Sequence, residues 1–263
     1  MSSLVTKVRL RQIEALLEKG KRLDDRGLMD TRPIKIEQGL IERAEGSARC
    51  LLGKSEVLAG VKVEIGEPFA DTPNEGVMTV NTELVPLASP NFEPGPPDEK
   101  SIEIARVVDR GIRESHAIDT EKLCIEPGKK VFVVFVDVYV LNHDGNLIDC
   151  AALAAMAALM NTKMPNYEIK DGEIKMKQGY TPLPLKSHPV TVTIGKINNK
   201  LIIDPWIEEE EVMDSRITIA INDEGNICAV QKGGSSYFTP QQILEALRIA
   251  KEKATELRKK LNW

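Results

Sequence analysis

The stretch Asp144-Gly145-Asn146-Leu147-Ile148-Asp149-Cys150-Ala151-Ala152 decides the fold of this chain. It separates a long apolar run, Val131 to Leu141, from an alanine-rich run that continues to Met160. The apolar run predicts a buried strand and the Asp-Gly pair predicts a turn. The alanine-rich run is apolar all round, which predicts a central buried helix. A helix that begins directly after a strand offers unpaired N–H groups and the positive end of its dipole to an anion.

The side chains of this turn do not suit an anion. The turn carries no Arg, Lys, Ser or Thr, and neither Leu147 nor Ile148 has a side-chain hydrogen-bond donor. Asp149 adds a negative charge, and its repulsion of a phosphate is about 3–4 kcal/mol, against about 0.3–1 kcal/mol of attraction from the helix dipole. We therefore expect no phosphate to bind here. The alternative interpretation is purely structural, with an Asp-Gly turn and Asp149 as the cap of the helix.

The amino-acid composition excludes several classes of function for this chain. With 263 residues, 42% hydrophobic and 29% charged, the chain is long enough for a substantial core. A net charge of -5 and 4% aromatic residues argue against a broadly basic coat and against extensive base stacking. The four cysteines form no Cys-x-x-Cys pair, which predicts reduced thiols in a cytoplasmic protein and no zinc site. We expect no signal peptide and no membrane span, because no apolar segment is long enough.

The rest of the chain predicts an α+β fold of two pseudo-repeated halves, each with antiparallel strands plus helices. In the first half, short strands between Ile34 and Val80 are separated by expected turns at Gly39, Gly46, Gly53, Gly60, Gly66 and Gly76. A proline-rich loop covers residues 86–97. A helix follows from Asp98 to Ser115, and its buried face is expected at Ile102, Ala105, Val108, Gly111 and Ile112.

The second half repeats this order of strands and helix. Asp171-Gly172 predicts a hairpin turn, and further strands are expected at Val190 to Ile194, Leu201 to Ile203, Ile217 to Ile221 and Ile227 to Val230. A last helix begins at Thr239, with its buried face expected at Ile243, Leu247, Ala250, Ala254 and Leu257. We expect residues 1–26 to form an N-terminal helix and an exposed basic arm, which is either solvated or docks a partner. Residues 27–165 and 166–263 are then the two halves of one compact unit.

Three arginines on the helix at 98–115 are candidates for binding phosphate groups. Arg106, Arg110 and Arg113 are spaced i, i+4 and i+7, so all three point to one side. The planar guanidinium group pairs two phosphate oxygens at once. The alternative is that Asp109 and Glu114 on the same helix neutralise them in ion pairs.

The remaining polar groups are scattered along the chain. None of His116, His143 and His188 has neighbours at metal-ligand spacing, and His143 is expected on the surface. Glu208 to Glu211 with Asp214 form an acidic run, which either binds a metal or holds an acid of raised pKa, or is a solvated loop. We adopt the solvated loop, and so predict no metal site.

Several short segments resemble the RNase PH family, in order and over nearly the whole chain. Arg22-Leu23-Asp24-Asp25-Arg26-Gly27 resembles that family's Arg-x-Asp-Gly-Arg opening, with Asp25 in place of the usual glycine. The first hairpin matches at Glu45-Gly46-Ser47-Ala48 and Leu52-Gly53-Lys54-Ser55. Narrower segments are similar to the non-catalytic RNase PH-like subunits of the archaeal exosome, the forty-two type: Asp71 to Gly76, Ser89-Pro90, Gly95-Pro96-Pro97, Ile125 to Lys129 and Asp204-Pro205.

This resemblance implies an RNase PH-like fold (ribosomal protein S5 domain 2-like) and a place in a hexameric ring of three heterodimers. The partner in each heterodimer would be a catalytic RNase PH-like paralogue. RNA-binding cap proteins of the exosome would join the ring, which degrades single-stranded RNA from 3′ to 5′ with inorganic phosphate. Arg106, Arg110 and Arg113 match arginines on the family's RNA-facing helix, so the resemblance assigns RNA binding to them.

The departures from the family imply that this chain has no catalytic residues and needs no cofactor. Catalytic members have Asp-Gly-Gly-Thr-Arg where this chain has Asp144-Gly145-Asn146-Leu147-Ile148. They also carry two acidic residues six apart, of which Asp214 lies near the second, and an arginine that is absent from Leu87 to Phe92. The chain would bind and position RNA and structure the active site of its catalytic partner. The alternatives are an active phosphorolytic exoribonuclease of the RNase PH type and a purely structural ring subunit without RNA contact.

Overall fold

The computed structural model of the protein describes residues 4–170, 173–261 and 263. Its helices are α1 (Leu4–Glu18), α2 (Glu99–Glu114), α3 (Leu147–Met160), α4 (Ile207–Glu210) and α5 (Pro240–Leu261), with a short 3₁₀ helix at Thr120–Leu123. Its strands are β1 (Ile34–Gln38), β2 (Gly46–Leu52), β3 (Ser55–Gly66), β4 (Val77–Leu84), β5 (Cys124–Glu126), β6 (Lys130–Asn142), β7 (Lys163–Lys170), β8 (Glu173–Pro182), β9 (Val190–Ile197), β10 (Lys200–Ile203), β11 (Ser215–Ile221) and β12 (Ile227–Gly234). The predicted α+β class is confirmed. No helix within the described ranges is long and apolar enough to cross a membrane.

The first sheet has the order β1-β2-β3-β6-β4, and β5 also pairs with β6. All of its pairings are antiparallel except that of β4, which runs parallel to β6. The connection between β4 and β6 contains α2, and such a crossover is what parallel strands require. The prediction of antiparallel strands alone was therefore wrong for β4. Gly60, expected in a turn, lies inside β3 opposite Ser47, because the alternation of buried residues continues through it.

The second sheet, β10-β9-β11-β12, is antiparallel throughout. Every residue of β9 is buried, because both faces of this sheet are covered. On one face, Val190, Val192 and Ile194 pack against α5. On the other face, Thr193 hydrogen-bonds α3 through Asp149. The two sheets thus enclose α2 and α3 between them, and α5 forms an outer layer. The strands β7 and β8 form a separate antiparallel pair, and the predicted turn Asp171-Gly172 lies outside the described residues.

The central helix α3 confirms the prediction from its alanine-rich sequence, since all but one of residues 147–159 are buried. Its start differs from the prediction. Asn146 adopts the left-handed conformation, with φ 49°, and caps the helix. Asp149 therefore lies in the first helical turn, and the prediction that it caps the helix was wrong.

The caps of α2 and α5 follow the sequence, and most residues of their predicted buried faces are buried: Val108, Gly111 and Ile112 in α2, Ala250, Ala254 and Leu257 in α5. Asp98 caps α2 through a hydrogen bond of 2.7 Å from the N–H of Ser101, and Thr239 exchanges hydrogen bonds with Gln242 at the start of α5. Ile102 is nevertheless 47% exposed. The same holds for Ile243, which is 38% exposed. Both lie on the outer side of the first turn, and neighbouring positions are buried in their place: Ser101, Ile104 and Val107 in α2, Ala246 and Ile249 in α5.

The N-terminal segment is folded back onto the second half rather than projecting as an arm. Ile13 and Leu17 of α1 are buried against Ile197 and Ile202. These contacts cover the end of the second sheet with an apolar face. Of the basic residues that follow α1, Lys19 and Lys21 are exposed, whereas Arg22 is buried.

Arg22, which follows α1, makes a buried ion pair with Glu209 of α4. Its Nε donates to Glu209 Oε1 at 2.8 Å, and its Nη2 donates to the second carboxylate oxygen. Further bonds reach the carbonyl oxygens of Ile203 at 2.8 Å and Asp204 at 2.9 Å. Both charged side chains are almost fully buried. The interpretation of the acidic run as a solvated loop was therefore wrong for Glu209, whose partner is distant in sequence.

Removal of one member of this pair should destabilise the protein strongly. A buried charge that loses its partner costs about 3–5 kcal/mol. We therefore expect Glu209→Ala to lower the free energy of unfolding by about that amount in urea titrations. Glu208→Ala is the matched control, because Glu208 is a third exposed and lies 3.8 Å from Arg9, and we expect it to cost at most about 1 kcal/mol. Equal effects of the two substitutions would contradict this account.

Candidate functional site

The turn before α3 is held against the second half of the chain. Gly145 has φ 89°, and a Cβ atom there would lie 2.5 Å from the backbone nitrogen of Ile207 and 2.7 Å from the carbonyl oxygen of Pro205. Only glycine fits this close approach. The carboxylate of Asp144 accepts a hydrogen bond of 2.8 Å from the indole nitrogen of Trp206. The turn and the loop after β10 therefore form one unit.

A buried carboxylate, Asp204, joins this unit to the N-terminal loop. Arg32 donates to its two oxygens at 2.9 and 2.7 Å, and Arg26 and Asn146 each donate at 2.9 Å. Burial raises the pKa of Asp204, but the hydrogen bonds and charge of Arg32 outweigh it and hold the pKa below its ordinary value. We call these four residues the Asp204 joint. It contains an ionised group whose hydrogen bonds are made within the protein.

The carboxylate of Asp149 is hydrogen-bonded on both oxygens to groups of the same protein. One oxygen accepts hydrogen bonds from the backbone N–H of Thr193 at 2.9 Å and from Asn146 Nδ2 at 2.8 Å. The other accepts from the Thr193 hydroxyl at 2.8 Å. Burial raises the pKa of Asp149 to about 7 despite these bonds. Asp149 thus connects α3 to β9, and both of its carboxylate oxygens accept hydrogen bonds from within the protein.

Glu210 is a second acidic group at the amino terminus of α3, besides Asp149 in the first turn. Its carboxylate accepts a hydrogen bond of 2.8 Å from the backbone N–H of Asn146. Burial raises the pKa of Glu210. An N–H group that an anion would use is therefore already paired with a carboxylate of the same chain. No local pattern indicates this contact, because Glu210 lies far from Asn146 along the chain.

A cavity of about 400 Å³ opens beside this terminus, and its lining includes Lys100, His143, Leu147, Ile148, Glu210 and Arg216. The ring of His143 stacks on Phe92 at 5.4 Å between centroids, and its Nε2 lies 3.0 Å from the Nζ of Lys100. Burial, and then the charge of Lys100, lower the pKa of His143 to about 4. His143 is half-buried, so the expectation of a surface histidine was wrong.

The other cationic side chain that lines the cavity, Arg216, is paired with a carboxylate. Arg216 donates to Glu103 at 2.5 Å. Apolar side chains, Leu147 and Ile148, occupy the positions at the start of α3. A phosphate would meet these apolar groups and the carboxylate of Glu210, which makes the cavity a poor anion site.

Asp214 does not join the acidic residues of α4 in one cluster. Its carboxylate accepts the N–H of Asn198 at 2.6 Å and so closes the turn between β9 and β10. Asn198 has φ 55° in this turn. Across the described part of the chain, no three His, Cys, Asp or Glu side chains are placed to hold a metal ion. All four cysteines are free thiols.

The three candidate arginines on α2 do lie together. Arg106, Arg110 and Arg113 are exposed and line one open cleft of about 430 Å³, with Phe69 and Met78 among its other walls. Their common orientation agrees with the i, i+4, i+7 spacing. The cleft is formed by α2, the start of β4 and the loop before β4.

The three arginines differ in how far their charges are neutralised. Arg113 donates to the carboxylate of Asp109 at 2.7 Å and to the carbonyl oxygen of Met78 at 2.9 Å, and the bond to Asp109 raises the pKa of Arg113. Arg110 donates to the neutral side chain of Gln231 at 2.9 Å. Arg106 makes no hydrogen bond or ion pair within the described ranges. The alternative of helical ion pairs therefore applies to Arg113 alone.

Asp149 should give the fold a distinct pH dependence. Unfolded aspartate titrates at about 3.9, whereas the pKa of Asp149 in the fold is about 7. Between these values the native state binds more protons than the unfolded state, so stability falls as pH rises and levels off above about 7. Asp149→Asn removes this titration, while its amide can still bond Asn146 and Thr193.

We expect the free energy of unfolding of the wild type, relative to Asp149→Asn, to fall between about pH 5 and 7, by at most about 1.4 kcal/mol per pH unit for one proton. Urea titrations at a series of pH values measure this difference. His143 titrates in both proteins and cancels. Parallel pH profiles for the two proteins would show that Asp149 does not titrate in this range.

Comparisons with known proteins agree with the two-half architecture. The chain matches the model of the 3′ exoribonuclease family, domain 1, over residues 30–165 and the model of domain 2 over residues 187–253. It is 55% identical over 246 residues to the exosome complex component Rrp42 of Pyrococcus horikoshii, an alignment that covers 93% of this chain and 90% of the relative. It is 47% identical over 255 residues to the protein of the same name from Methanothermobacter thermautotrophicus, with 97% and 94% covered.

Solved structures agree with the fold. One chain of the Archaeoglobus fulgidus exosome with RNA bound to the active site has a TM-score of 0.91 and 46% identity, covering 98% of this chain and 100% of that one. A chain of an archaeal exosome core has a TM-score of 0.87 and 42% identity, with 99% and 98% covered. The predicted RNase PH-like fold is thereby confirmed, and the chain belongs to the 3′ exoribonuclease family, the RNase PH family, with the two halves as its two domains.

Proposed function

We propose that this chain is a non-catalytic subunit of an exosome core ring, a complex that degrades RNA from its 3′ end with phosphate. The relatives named Rrp42 and the similar chains of archaeal exosomes support the assembly. One observation supports the absence of chemistry. The carboxylate of Glu210 occupies the backbone N–H at the start of α3, where an anion would otherwise be held.

The proposal includes the partners that such a ring requires. A catalytic RNase PH-like paralogue alternates with this chain in three heterodimers, and RNA-binding cap proteins of the exosome bind the ring. A closed ring has no terminal subunit, so it leaves no sheet edge exposed at an end of the assembly. A cytoplasmic location belongs to the same proposal and rests on the four free cysteines.

The arginine cleft on α2 is the proposed RNA surface, and it binds the backbone of single-stranded RNA without reading sequence. Guanidinium groups pair with phosphate oxygens irrespective of the base. Arg106 and Arg110 keep their full charge for this contact, while Arg113 shares its charge with Asp109. RNA binding by this cleft therefore separates the proposed function from that of a purely structural ring subunit.

Substitution of each arginine by glutamine should weaken RNA binding in a definite order. We expect Arg106→Gln and Arg110→Gln each to reduce the salt dependence of binding by about 0.7 in log–log slope, the value for one phosphate contact of a single strand. Arg113→Gln should have the smallest effect, because Asp109 already neutralises it. Binding of several RNA sequences by the assembled ring, titrated with salt, measures this.

Arg248→Gln is the matched control, because Arg248 is an exposed helical arginine paired with Glu252 on α5. It should leave the slope unchanged. A dominant effect of Arg113→Gln, or no effect of any arginine in the cleft, would contradict the assignment.

The absence of chemistry is tested with the chain alone and with the catalytic paralogue from the same genome. We expect phosphate-dependent shortening of RNA only when both are present, and a mass that matches three heterodimers. Asp149→Asn should leave the turnover of this ring nearly unchanged, whereas loss of a general acid or base costs about a hundredfold or more.

Two results would refute this assignment. Shortening of RNA by the chain alone would favour the active phosphorolytic enzyme. Loss of turnover in an Asp149→Asn ring of normal mass would make Asp149 a catalytic group.

A further inference from the structure

One exposed aromatic side chain lies in the arginine cleft. Phe69 is 55% exposed and lines the cleft together with Arg106, Arg110 and Arg113. The chain has only five phenylalanines, and the other four are buried or half-buried. An exposed phenyl ring beside unneutralised guanidinium groups is the combination that single-stranded nucleic acids use, with a base on the ring and phosphates on the cations.

The loop that carries Phe69 is fixed rather than loosely attached. The N–H of Thr72 donates to the carbonyl oxygen of Phe69 at 3.2 Å and closes a turn. The N–H of Gly76 donates to the carbonyl oxygen of Thr120, and the carbonyl oxygen of Pro73 accepts the N–H of Gly128, both at 2.8 Å. A loop with a fixed backbone loses little conformational entropy when a flat ligand stacks on the ring that it carries.

The charges around Phe69 differ on its two sides. On one side lies the arginine cleft. On the other side a second cavity, of about 500 Å³, has Asp71 and Glu75 in its lining and shares Phe69, Arg113 and Glu114 with the arginine cleft. Phosphate groups are repelled by these carboxylates and attracted by Arg106 and Arg110. The backbone of an RNA strand therefore has one favoured side, and a base attached to it points toward Phe69.

We propose that Phe69 is a stacking platform for one nucleobase of the RNA strand whose phosphates lie on Arg106 and Arg110. This proposal rests on the proposed RNA-binding function and adds a base subsite to it. Stacking on one ring accepts every base, since each has a flat π face. The low aromatic content of the chain allows one such contact and not an extended stack.

The test uses the ring assembled with the catalytic paralogue, without inorganic phosphate, so that the RNA stays intact. The probes are a fluorescent oligoadenylate and a series of the same strand in which one nucleotide at a time lacks its base. In the wild-type ring, one position of the series should bind about 5- to 150-fold more weakly than the intact strand, the range for one stacked base. Phe69→Ala should lose the same factor with intact RNA and show no further loss at that position.

Two further variants separate stacking from other roles. Phe69→Trp should retain binding, because its ring also stacks. Tyr237→Ala is the control, since Tyr237 is an exposed aromatic residue outside the cleft, and it should bind as the wild type does. Every ring is first checked for its mass.

The outcomes distinguish this proposal from the function on which it rests. If Arg106→Gln weakens binding while Phe69→Ala does not, the arginine cleft stands and the stacking platform is refuted. If neither changes binding, the RNA-binding function itself is refuted. If Phe69→Ala prevents assembly of the ring, Phe69 is a contact with a partner subunit, and the proposal is overturned.

Discussion

The Asp204 joint is the constraint on which the arrangement of the two halves depends. Asp204 is 1% exposed, and burial of an unpaired carboxylate would be prohibitively unfavourable. Arg26 and Arg32 supply the opposite charge from the N-terminal loop, and Asn146 supplies a further donor from the turn before α3. Because these donors come from the first half and the acceptor from the second, the halves cannot separate without exposing or orphaning a charge.

The same joint determines what the start of α3 is able to bind. Asn146 is held by Asp204 through its side chain and by Glu210 through its backbone N–H. The strand, turn and helix have the geometry of an anion site, yet the backbone N–H and the side-chain amide of Asn146 already donate to carboxylates of the same protein. In contrast, Arg106 on α2 has no partner in the described part of the chain. The donor groups of Asn146 at the start of α3 are thus paired internally, while the charge of Arg106 on α2 is unpaired among the described residues. This contrast favours a protein that positions RNA over one that cleaves it.

The sequence predicted those features that depend on local periodicity or local hydrogen bonds. The apolar helix α3, the strand β6 and the capping box at Thr239 and Gln242 are of this kind. The prediction of a turn at Gly60 was wrong because β3 continues through it, and those for Ile102 and Ile243 were wrong because the surface on which a helix packs decides which of its residues are buried. Those for Glu209 and His143 were wrong because their partners, Arg22 and Lys100, are distant in the chain and nothing in the local pattern indicates them.

The apolar start of α3 links the stability of the fold to its proposed role. A site that binds phosphate must keep donors unpaired and open to water, which destabilises a fold. Here Leu147 and Ile148 are buried, and the neighbouring carboxylates are bonded within the protein. A subunit that needs no reaction centre of its own gains stability from such a packed terminus. Under the proposed function, the cations for RNA lie on the surface of α2, where a guanidinium group is hydrated at little cost.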